Sequence, residues 1–159
     1  MNQIHKAYLE TPIGTLEITG SHAVIFSVTF VDEQHTGPSK VPVSLKQCVK
    51  QLNEYFSGKR KKFELQLQPN GTTFQRHVWD ELLNIPYGKT VSYLHIAHQL
   101  GDEKKIRAAA SANGKNPIAI IIPCHRVIAA NGGLGGFMHS RTGFSQDIKR
   151  WLLRHEHVI

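Results

Sequence analysis

The chain has 159 residues, 40% of them hydrophobic, and a formal net charge of +7. That is enough for one good core or two small ones, and the basic balance points to an anionic partner. Two cysteines exclude a disulfide framework, ten scattered histidines give no metal-ligand spacing, and no apolar run approaches the ~20 residues of a membrane span. The pair His95 and His98 has no cysteine or carboxylate grouping beside it, so no metal is expected. Nothing reads as a signal peptide, so the expected address is the cytoplasm, where reducing conditions keep a thiol available.

In chain order, the runs 7–10, 15–19 and 24–30 carry β-branched and aromatic residues, and Pro12-Ile13-Gly14 separates the first two as in a hairpin. These predict an antiparallel sheet. In 44–57, Leu45, Cys48, Val49, Leu52, Tyr55 and Phe56 fall on one helical stripe, and 63–67 alternates like an edge strand. Gln66 to Gly71, polar and ending Pro69-Asn70-Gly71, is the best candidate linker, which divides the chain into a helix-on-sheet domain, 1–70, and a second domain, 71–159.

The second domain reads as mostly helical. Thr72 and Gln75 have capping-box spacing ahead of the stripe Phe74, Val78, Trp79, Leu82 and Leu83. Ser92 can cap a helix running to Leu100, Gly101 supplies a turn, and Asp102 with Glu103 suits the start of a third helix ending at Asn113-Gly114. That is the outline of a helix-turn-helix. The predicted class is therefore α+β: a small N-terminal antiparallel sheet with a helix, then a mostly helical domain containing a helix-turn-helix. Residues 1–73 have net charge +2 and 74–159 net +5, so the second half is the more basic.

After the third helix comes Pro117 to Pro123, with five consecutive aliphatic residues between its prolines, which predicts a short buried strand stopping at the second proline. Cys124 would sit at its end. His125 and Arg126 follow, and two such neighbours are expected to favour the thiolate. Thiolate formation alone does not speed attack much. Lowering the pKa by ~3 units raises the thiolate fraction about 30-fold at pH 7 but costs about 20-fold in nucleophilicity. Positioning and leaving-group stabilisation must supply the rest.

The run Pro123-Cys124-His125-Arg126-Val127 resembles the signature of the methylated-DNA-protein-cysteine methyltransferases, also called alkylguanine-DNA alkyltransferases. The resemblance extends to Thr73-Phe74-Gln75, Val78-Trp79, Ile85-Pro86-Tyr87-Gly88, Val91-Ser92-Tyr93, Arg107-Ala108-Ala109, Asn113, Asn116-Pro117, Gly135-Gly136 and Trp151 to Glu156. It implies DNA repair by direct, irreversible, stoichiometric transfer of an alkyl group from 6-O-alkylguanine in double-stranded DNA to Cys124. The base would be flipped out and approached from the minor groove, by a monomer that needs no cofactor and works once.

The same resemblance assigns roles. His125 acts on the thiol through a bridging water, Glu156 orients the imidazole, Tyr93 serves a guanine ring nitrogen, and Asn116 is the hinge between the recognition helix and the cysteine. Arg107 enters the space left by the base, with Ala108, Ala109 and Ala112 allowing close approach and Arg126 adding a cation on the DNA side. Tyr93, Val127, Phe137 and Met138 form the substrate pocket. Phe137 to Asp147 departs from the family pattern, which bears on the alkyl groups admitted. A lesion recogniser without transfer and a thiol hydrolase using Cys124, His125 and Glu156 are the rivals. Against the second, neighbours in an extended strand point to opposite faces.

Overall fold

A computed structural model describes residues 3–32, 40–134 and 144–159. It is α+β and divides into two compact units: 1–70 with 117–119, and 71–116 with 120–159. Residues 117–119 thus lie with the sheet of the N-terminal unit.

In the N-terminal unit, β1 (His5–Thr11), β2 (Gly14–Ser21) and β3 (Val24–Val31) form an antiparallel meander. Alternation puts Ala7, Leu16, Ile18, Ile25 and Val28 in the core. His22 and Ala23 both have positive φ, 52° and 67°, as a two-residue hairpin with the twist of its strands requires. Helix α1 (Lys46–Phe56) packs on the sheet through Cys48, Leu52 and Tyr55, following a 3-10 turn, Val43–Leu45. The expected edge strand at 63–67 is only β4 (Gln66–Leu67), and it runs parallel to β3. Gln51 takes the ladder's place upstream, because its amide accepts from Glu64 N at 2.9 Å and donates to Glu64 O at 3.3 Å.

In the second unit, α2 (Thr73–Leu82) starts at the capping box read from the sequence, Gln75 N to Thr72 Oγ1 at 3.1 Å and Thr72 N to Gln75 Oε1 at 2.9 Å. Its Trp79 is buried, and the indole N–H donates to Ala112 O at 2.9 Å. Gly71 is dictated by this ring, since a Cβ there would lie 2.4 Å from it. Pro86-Tyr87-Gly88-Lys89 then turns the chain, with Gly88 at φ 82° and Lys89 N bonded to Pro86 O.

After β5 (Val91–Ser92), Ser92 caps α3 (Tyr93–Gln99) by accepting from His95 N at 3.0 Å. Asp102 caps the 3-10 turn Glu103–Lys105, which runs into α4 (Ile106–Gly114). Helices α3 and α4 pack together as a helix-turn-helix. The strand expected between the prolines does not form. Ile118 makes one parallel bridge to Val28, and Ile120 then takes a left-handed φ of 72°, so the chain turns instead of extending. Burial of five aliphatic residues reads alike for a strand and a buried turn. Such a φ costs a β-branched residue ~1–2 kcal/mol. A last pair, β6 (Val127–Ile128) beside β5, precedes α5 (Phe144–His155).

Candidate active site around Cys124

Pro123, at φ −82° and ψ 65°, is the centre of an inverse γ-turn closed by Cys124 N to Ile122 O at 2.8 Å. Proline fixes that φ, so the cysteine is delivered from a stiff corner. Cys124–Arg126 is a 3-10 turn rather than a strand end, and all three residues are buried. Two asparagines at the end of α4 hold the corner: Asn116 Nδ2 donates to Ile122 O at 2.8 Å and Asn113 Nδ2 to Cys124 O at 3.3 Å. Asn116 also hydrogen-bonds the Cys124 side chain, a contact that favours the thiolate.

Helix α5 supplies the other wall. Lys149 and Glu156 are seven residues apart, two turns on one face, together with buried Leu152 and Leu153. Glu156 accepts from His125 Nε2 at 2.6 Å and from Arg126 Nε and Nη2 at 2.7 and 3.1 Å. Burial alone would raise its carboxyl, but the hydrogen bonds from His125 and Arg126 and the charge of the guanidinium hold it far below the usual range. Burial pushes His125 the other way, below its ordinary value, against the pull of Glu156. The imidazole is therefore neutral with its proton on Nε2. Nδ1 carries the lone pair, and this buried atom has no hydrogen-bond partner among the described residues.

The thiol is not pre-ionised. Burial raises Cys124 from 9.0 to about 11, opposed by Asn116 and by the charge of Lys149. His125 and Arg126 do not favour the thiolate as expected: the first is neutral, and the guanidinium of the second is committed to Glu156 and, through Nη1, to Ile85 O at 2.7 Å. Arg126 is consequently buried and not a DNA-facing cation.

Lys149 was missed in the sequence. Its Nζ donates to Val127 O at 2.7 Å and lies 5.8 Å from the Tyr93 ring, while burial lowers it to about 8. A lysine inside the apolar stripe of α5 was the available signal. Tyr93 is raised by burial and by Cys124, so its phenol keeps its proton. It also lines an open cavity of about 270 Å³ with Leu94, Ile106, Arg107, Ala110, Ala129 and Ala130.

Arg107 and Ala108 are exposed on α4, as expected. Ala109 and Ala112 are not: helical periodicity turns them into the core, and Ala112 O is the Trp79 acceptor. Ser111 and Lys115 share the exposed face instead. Glu103 pairs with His98 Nδ1 at 3.2 Å rather than with Arg107. Val127 is fully buried beside Val91 and does not line the cavity, where Ala129 and Ala130 stand. Phe137 and Met138 lie outside the described residues. Among the described residues no cluster of three or more histidines, cysteines or carboxylates could hold a metal, and no helix is long and apolar enough to cross a membrane.

A buried thiol, followed by a buried His125 hydrogen-bonded to Glu156, thus stands in the unit that carries a helix-turn-helix. With no extended strand here, Cys124 and His125 are not forced to opposite faces, yet the lone pair of His125 Nδ1 is still not bonded to the thiol. Two family models cover nearly the whole chain: the ribonuclease-like domain of 6-O-methylguanine DNA methyltransferase over residues 4–69, and the DNA-binding domain over 73–158. A methylated-DNA–protein-cysteine methyltransferase of Mycobacterium tuberculosis is 43% identical over 84% of this chain and 84% of its own. Another, from Methanosarcina acetivorans, is 40% identical over 96% and 98%. The crystal structure of the M. tuberculosis O6-methylguanine methyltransferase superposes with a TM-score of 0.84 at 40% identity, covering 97% of this chain and 93% of that one. M. tuberculosis OGT in complex with DNA gives 0.83 at 40% identity, covering 96% and 92%. The chain belongs to the 6-O-methylguanine DNA methyltransferase family.

Proposed function

We propose that Cys124 is the acceptor to which this member of the family transfers the alkyl group of 6-O-alkylguanine in DNA, and that His125 takes its proton as the bond forms. The observation that carries this reading is the relay from Glu156 through Nε2–H of His125 to an unpartnered, buried Nδ1, next in sequence to a buried thiol. Compared with an ordinary cysteine, a pKa of about 11 leaves ~100-fold less thiolate at pH 7 and gains only about 8-fold in nucleophilicity. A net deficit of roughly 12-fold follows, so the proton has to leave during attack.

The sulfur attacks the alkyl carbon, the carbon–oxygen bond breaks, and its electrons pass into the guanine ring. Tyr93, kept protonated, donates a hydrogen bond to a ring nitrogen as that charge develops. Lys149 favours the transient thiolate electrostatically. Asn116 keeps the corner in register with α4, whose Arg107 and Ala108 meet the DNA from the minor groove and help to hold the base outside the stack. The first unit supports the second, and the protein works in the cytoplasm as a monomer. Among the described residues no neighbouring group could cleave the thioether product, so each molecule reacts once.

Intact mass after incubation with duplex DNA carrying 6-O-methylguanine tests this reading. A gain of about 14 Da, absent from Cys124→Ser, is expected. Lesion-selective binding with no gain in mass would reject transfer.

A further inference from the structure

The net charge of the first half conceals a strong asymmetry. Residues 46–62 hold Lys46, Lys50, Lys59, Arg60, Lys61 and Lys62 against the single acid Glu54, which is net +5 in 17 residues; the other 142 residues have net +2. We infer that this segment, α1 and the loop after it, is a second binding surface for the phosphate backbone of double-stranded DNA, separate from the helix-turn-helix.

The segment is built to present its lysines. Lys46 and Lys50 are exposed one turn apart on α1, away from the face that buries Cys48, Leu52 and Tyr55. After the helix, Lys59 N bonds to Glu54 O at 2.8 Å, and Arg60 donates Nε to Glu54 Oε1 at 3.2 Å and Nη1 to Lys62 O at 2.8 Å. The Gln51 amide clamps Glu64 at the far end of the loop. Arg60 thus neutralises the strip's one carboxylate and folds the loop, while Lys59, Lys61 and Lys62 remain exposed.

Helix electrostatics do not account for the pattern. Cations after the C-terminus of α1 suit its dipole, but Lys46 stands in its first turn, where a cation is disfavoured, and Lys50 in its second, where the dipole gives no gain. Clustered like charges on an ordered surface repel one another and are relieved by a polyanion. Duplex DNA, the family's substrate, carries its phosphates at a spacing that a row of lysines can match.

The test compares K59Q/K62Q with K6Q/K40Q, an equal reduction of charge outside the segment, in binding to an undamaged duplex across a salt series. Transfer of methyl from free 6-O-methylguanine, which requires no phosphate binding, checks that each variant is intact and reads the activity separately. Removing one lysine–phosphate pair flattens the plot of log affinity against log salt by about 0.9. The expected result is a slope shallower by about 2 in K59Q/K62Q and unchanged in K6Q/K40Q. Equal slopes in the two variants, whether both altered or neither, would overturn the inference.

Discussion

Cys48 and Cys124 are both buried free cysteines, and the difference between them shows what a reactive thiol requires here. Cys48 sits in the apolar face of α1, and burial alone raises it to about 12. Cys124 is as deeply buried, yet Asn116 and Lys149 bring it back to about 11 and a neutral histidine follows it in the chain. Neither is a thiolate at neutral pH. The proposed mechanism therefore rests on a proton acceptor and a nearby cation within a buried site, rather than on a standing thiolate.

Substituting each cysteine in turn tests this contrast most severely. Cys124→Ser should abolish the mass gain, while Cys48→Ala should leave the transfer rate within about twofold, because a small buried hydrophobe there is only packing. Next come the relay residues. His125→Ala should slow single-turnover transfer by about 10²–10⁴-fold. Glu156→Gln should slow it by a similar factor and also cost about 3–5 kcal/mol of stability in urea, since Arg126 is left buried without its carboxylate. Adding Arg126→Met should restore much of that stability and none of the rate; restored rate would mean that Glu156 serves only Arg126.

Smaller effects separate the two thiols further. Lys149→Met should raise the Cys124 pKa further and slow transfer about threefold for each pKa unit, the loss of thiolate less the gain in nucleophilicity, with no change at Cys48. Stability should fall on acidification from pH 7. His125 is depressed in the folded state, so below its ordinary 6.5 the unfolded chain binds a proton that the folded chain refuses. Glu156 is depressed as well, and its contribution, present above its ordinary 4.5, is lost as pH falls further. Urea midpoints at pH 7 and pH 5 measure the first of these, and His125→Ala should reduce the difference.

Much of this was legible because local chemistry decided it. The Thr72 capping box, the Ser92 cap and the apolar stripes of α1 and α2 are short-range signals, and the motif around Cys124 pointed to the residues that the structure buries together, His125 and Glu156. What was not legible depended on tertiary packing. Ile120 adopts a φ that its side chain disfavours, so no propensity argument could have replaced the strand with a turn. His22-Ala23 forms a tight hairpin without the glycine or asparagine that marks one. Arg126 has the look of a surface cation in the sequence, and only Glu156, 30 residues on, reveals where its charge is spent. Ala109 and Ala112 suit a DNA face by composition, but the helical phase relative to Trp79 puts them inside.

At the centre of the proposed mechanism is a thiol stored neutral, which would give its proton to His125 during attack. The most direct measurement is the single-turnover rate of alkyl transfer at saturating lesion DNA between pH 7 and 8.5. His125 is neutral throughout that range while Lys149, lowered to about 8, loses its charge across it, so the rate should stay level or fall by about threefold and should not rise. A rate climbing about tenfold per pH unit would mean that a pre-formed thiolate attacks without the histidine, and would rule the mechanism out.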